Sequence, residues 1–245
     1  ECSVLYGILI ANRPNSAKDQ SKLSNTLLDR ITALSRLIGS SFAFRSDSFP
    51  LDDVDRLENF IVSRAAFVSQ KKLYGYLKER IGTRWPSMFE DEVFRTSIAT
   101  ASMQVFAASL SDLTIHAVAH ALADSAEPDE VKAELARELY VLGLKKNQTD
   151  TTEGFDSDQI IAEFDRRLEG TDWNFGALLP ANFTRSPAAL LRWAPIAQRY
   201  KKFDAEIVEN SLKFAWVDIR EQFARRLDAD AIARQVSENK SLSEG

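Results

Sequence analysis

Several of the residues and motifs that most often identify a protein's activity are missing from this chain. It has one cysteine, Cys2, so no disulfide can form within it, and a lone thiol fits a reducing compartment; a cytoplasmic location is expected on that ground. His116 and His120 are the whole supply of imidazole. There is no G-x-S-x-G elbow, no Walker loop, no G-x-G-x-x-G turn and no paired-cysteine motif, and strands do not alternate with helices as a cofactor-binding α/β fold requires. No period repeats along the chain and no low-complexity tract interrupts it, which argues against a solenoid. The one apolar run near the start, residues 4–11, is far short of the roughly 20 residues that span a bilayer. A packed terminal segment is the expectation there, with peripheral membrane contact as the alternative.

Charge of one sign is also never concentrated. Lys and Arg number 31 against 36 Asp and Glu, a net charge of −5, and the two signs are mixed throughout. Duplex nucleic acid needs a concentrated basic face, so it is not the expected partner. The densest basic cluster, Lys71, Lys72, Lys78, Arg80 and Arg84, reads as a solvated helix face.

What the chain does have is helical periodicity, with only nine glycines and seven prolines to interrupt it. Apolar residues at spacings of three and four predict helices over residues 21–38, 51–81, 128–143, 157–170, 186–193 and 203–227, with a further short one over 228–236. Residues 87–124 are the most informative. No charged residue lies between Arg95 and Asp112, and none between Asp112 and Asp124. A helix with no charged face is buried on all sides. The competing membrane span is too polar, given Thr96, Ser97, Thr100, Ser102, Gln104, Ser109, Ser111 and Thr114. The expected fold is therefore all-α: a single helical bundle-like domain of about seven or eight helices around a central charge-poor helix. It occupies residues 21–245 after an N-terminal segment of residues 1–20, with an exposed loop at 145–154.

Two groups of residues are candidates for function. Asp112, His116 and His120 follow one another at intervals of four on the central helix, so their side chains share one face. Carboxylate and imidazole in that arrangement suit a divalent transition metal. The motif is incomplete, because Ala117 stands where a zinc protease has glutamate, and no Glu-x-x-His pair is present. The alternative is a structural set, in which a buried Asp112 takes either His116 or an arginine from another helix as its partner. Glu90, Asp91 and Glu92 are expected to complement the dipole of a helix start.

The second group is the irregular, proline-rich stretch holding Trp173, Phe175, Phe183, Arg185, Arg192 and Trp193, aromatic and arginine types enriched at interface centres. It is expected either to bind a protein partner or to fold back over the bundle. The leading functional expectation is a non-enzymatic helical interaction or assembly module, self-association included. The alternative is a metal-dependent enzyme or sensor built on Asp112, His116 and His120.

Overall fold

The structure, a computed structural model, describes residues 49–147, 155–176 and 182–243. All belong to the second of two units into which the chain divides after Ser46. The expected boundary at residue 20, the helix over 21–38, the apolar run 4–11 and Cys2 lie outside the described residues.

Seven helices form the described part: α1 (Val54–Ile81), α2 (Glu92–Ala121), α3 (Asp129–Asn147), α4 (Ser157–Glu169), α5 (Arg185–Trp193), α6 (Gln198–Arg226) and α7 (Ala229–Ser243). A 3-10 turn, Gly82–Arg84, and one α-helical turn, Trp85–Met88, join α1 to the segment before α2. No strand occurs among the described residues; Leu51 and Leu227 make one isolated parallel bridge. The all-α bundle expected from periodicity is the fold observed.

Helix starts follow local chemistry. Asp53 caps α1 by accepting from the Arg56 amide, and Asp91 caps α2 by accepting from the amides of Val93 and Phe94. Thus the middle carboxylate of the Glu90–Asp91–Glu92 trio is a cap, while Glu92 stands in the first turn. The helical stretch expected over 87–124, in which the sequence allows a break without placing it, is interrupted near its start: the chain turns at residues 89–91, so the helix begins at Glu92. Asp156 caps α4 by accepting from the amides of Asp158 and Gln159. Three other ends differ from expectation by four residues or more: α3 runs past 143 to Asn147, into the start of the expected loop, α6 starts five residues before 203, and α7 runs past 236 to Ser243.

Helix α2 is the centre, packed on by α1, α3, α5 and α7. From Ser109 to Ala119 every residue is buried. By length and composition it could cross a membrane, but 72 % of its most apolar window is buried inside the protein. Gly143 of α3 sets one crossing: a Cβ there would lie 2.8 Å from Val62 Cγ2 and 3.0 Å from Leu110 Cδ2. The inward face of α6, through Val208, Leu212, Trp216, Ile219 and Phe223, closes the bundle against α1 and α5.

Candidate functional site

Asp112 lies in the middle of α2 with none of its surface exposed. Its Oδ1 accepts from the Arg167 guanidinium of α4 at 2.8 Å, and its Oδ2 accepts from the Ser186 amide and hydroxyl, both at 2.8 Å. The Arg185 amide reaches Oδ1 at 3.4 Å. These amides belong to the first turn of α5, whose own cap residue, Thr184, makes no side-chain capping bond. A carboxylate from another helix therefore caps α5, meeting both its unpaired amides and its dipole. The network continues outward. Arg167 donates to Ser111 Oγ and Asn182 Oδ1, Asn182 donates to the Asp112 carbonyl, and Trp216 Nε1 donates to Ser186 Oγ. Of the two partners the sequence left open for Asp112, the arginine is the one present.

His116, one turn on, has a different environment. Its ring lies 5.4 Å from Phe175, 5.2 Å from Phe183 and 6.2 Å from Phe223, centroid to centroid. Neither ring nitrogen has a hydrogen-bond partner among the described residues. Burial pushes its pKa from 6.5 down to about 3, with the charges of His120 and Arg220 acting in the same direction. His120 is half-buried and stacks on Phe175 at 4.2 Å. Its pKa is also lowered by burial, with Asp124 opposing the shift. The two imidazoles are 6.0 Å apart, and Asp112 is engaged by Arg167 and Ser186. Among the described residues, no group of three His, Cys, Asp or Glu side chains is arranged to hold a metal ion.

The aromatic and arginine set is divided by the fold. Trp173 and Phe183 are core residues and Phe175 lies half-buried on the histidines. Phe183 takes a left-handed backbone, φ 59°, just before α5, with its ring 4.9 Å from Trp216 and under the Arg220 guanidinium. That conformation costs on the order of 1–3 kcal/mol in a non-glycine residue, and burial of the ring offsets it. Arg185, Arg192 and Trp193 instead face a cavity of about 180 Å³ between α2, α3, α4 and α5, shared with Arg167, Tyr140 and Phe164. Part of the set thus folds back into the bundle and part stays accessible.

The largest exposed apolar feature among the described residues was not anticipated from the sequence. On α6, Tyr200, Phe203, Ile207, Phe214 and Val217 are all exposed, the two phenylalanines by 78 % each. With exposed Asn210 they follow spacings of three, four, three, four and three, a heptad seam of a and d positions. The inward residues sit on the opposite face, roughly 170° away at 3.6 residues per turn.

Polar ties hold the helix in this rotation. Buried Asp204 accepts from Tyr76 at 2.6 Å and pairs with Arg80, and Ser211 accepts from Lys72 at 2.9 Å. Burial raises the Tyr76 pKa, and burial together with Lys71 lowers that of Lys72. The signal missed in the sequence was a second apolar stripe interleaved with the one that builds the core.

The chain matches no protein-family model, and no curated protein or solved structure is significantly similar to it.

Proposed function

We propose that this chain is a non-enzymatic helical interaction module that docks onto another helix through the outward seam of α6. The observation that carries the reading is the heptad spacing of five exposed large apolar side chains over residues 200–217. Folded monomers rarely leave a contiguous apolar patch larger than a few hundred Å² in water. Spacing of three and four selects a helical partner, because only another helix meets such residues layer by layer. The bonds from Asp204 and Ser211 to α1 hold this face outward, so docking needs no rearrangement of the core.

Sedimentation velocity combined with affinity capture tests the reading, comparing the intact chain with Phe203→Glu/Phe214→Glu. Association of any kind, with itself or with another protein, that disappears in the double variant is the expected result. A chain that associates with nothing, or associates equally well without the two rings, overturns it.

A further inference from the structure

We infer that the partner of the α6 seam is a second copy of the same helix, packed antiparallel. This rests on the docking reading above and commits it to one occupant. The seam is matched to its own reverse. When two copies run in opposite directions about a twofold axis midway between Ile207 and Asn210, Tyr200 falls opposite Val217, Phe203 opposite Phe214, and Ile207 opposite Asn210. Each a position then meets a d position, as an antiparallel coiled coil requires, with Tyr200 over the smaller Val217 and the Phe203 and Phe214 rings against each other.

Charge follows the same symmetry. Glu206 and Lys213 flank the seam at g positions, both exposed, and the twofold places Glu206 of each copy beside Lys213 of the other, giving two attractive pairs. Lys213 also pairs with Glu209 within its own helix, at 2.6 Å. At the outer g positions Arg199 would meet Arg220, but Arg220 is half-buried and turned onto the Phe183 ring. A parallel pair would instead set Glu206 against Ser211, Lys213 against Asp218 and Asn210 against Asn210, so the charge-swap and coupling experiments below separate the two orientations.

The size is adequate. The seam runs about 25 Å along the helix. Aromatic side chains carry roughly 150–250 Å² each; with Tyr200 48 %, Phe203 and Phe214 78 %, Ile207 66 % and Val217 40 % exposed, covering what remains open on both copies approaches the roughly 1,200 Å² at which specific interfaces begin.

The test uses the intact chain. Sedimentation equilibrium should show a dimer, and Phe203→Glu/Phe214→Glu should weaken it by about 100-fold or more, with helix content unchanged because both residues are exposed. Glu206→Lys and Lys213→Glu should each weaken self-association by roughly tenfold. An equimolar mixture of those two variants should recover the wild-type affinity, because every flanking pair is again opposite in sign. Zero-length carboxylate–amine coupling of a mixture of ordinary and nitrogen-15 chains should join Glu206 to Lys213 in mixed-mass peptides.

A dimer insensitive to the two rings overturns both this inference and the docking reading. So does a monomer that captures nothing. A monomer that captures another protein through Phe203 and Phe214 overturns only the second copy. Coupling of α6 to residues 1–46 of the same chain, or a charge-swap mixture that restores nothing, likewise overturns the antiparallel pair.

Discussion

Asp112 illustrates what a single buried charge demands. Removing one partner of a buried, hydrogen-bonded ion pair costs about 3–5 kcal/mol, because the other charge is left uncompensated. Asp112→Ala strands Arg167 and also the first amides of α5, so urea unfolding should show a loss of that size. Replacing both residues, Asp112→Ala with Arg167→Met, should cost less than the sum of the two single changes, which a double-mutant cycle would read directly.

His116 makes a pH prediction. Its folded pKa, about 3, lies below the unfolded value near 6.5, so the native state favours the neutral ring. The resulting stability is fully present above the unfolded pKa and is lost as pH falls from about 6.5 toward 3. Between pH 7 and pH 5 the wild type should therefore lose about 2 kcal/mol more than His116→Leu. Equal losses in denaturant titrations at the two pH values would contradict the buried, unpaired imidazole. At this scale the sequence was partly legible. A carboxylate in a charge-free helix needs a partner, but the identity of that partner depends on a guanidinium 55 residues away on α4.

Helix crossings and helix faces belong to the element scale. Gly143 and Gly75 both sit inside helices, where alanine is intrinsically favoured by about 1 kcal/mol. Their surroundings differ: a Cβ at Gly75 meets nothing within 4 Å, whereas at Gly143 it collides with Val62 and Leu110. Gly75→Ala should stabilise the protein by about 0.5–1 kcal/mol. Gly143→Ala should destabilise it by about 1 kcal/mol net, since overpacking a tight core typically costs about 1–3 kcal/mol and exceeds the propensity gain. Thermal unfolding of the two variants side by side would show opposite shifts.

Helix α6 shows why an element can be found from sequence while its role is not. Its inward stripe, Val208, Leu212, Ile219 and Phe223, is enough to predict the helix. Tyr200, Phe203, Ile207, Phe214 and Val217 supply a second stripe of equal quality, and periodicity alone does not say which of the two faces the core.

For the whole molecule, association and stability are linked. If the α6 seam pairs two copies, folding and dimerisation share one equilibrium, so the melting temperature rises with protein concentration. The wild type should show this dependence in differential scanning calorimetry, and Phe203→Glu/Phe214→Glu should melt at a concentration-independent temperature. All four tryptophans lie among the described residues, with Trp173 and Trp216 buried in the same core. Their fluorescence therefore follows the bundle through the transition.

Composition and spacing were sufficient for the all-α fold, for α2 as its buried axis and for most helix starts, because each of these follows from interactions within a few turns of chain. Which residue neutralises Asp112, which rings surround His116 and which stripe of α6 remains in water depend on side chains brought together from distant positions. Those contacts exist only once α4, α5 and α6 have packed against α1 and α2.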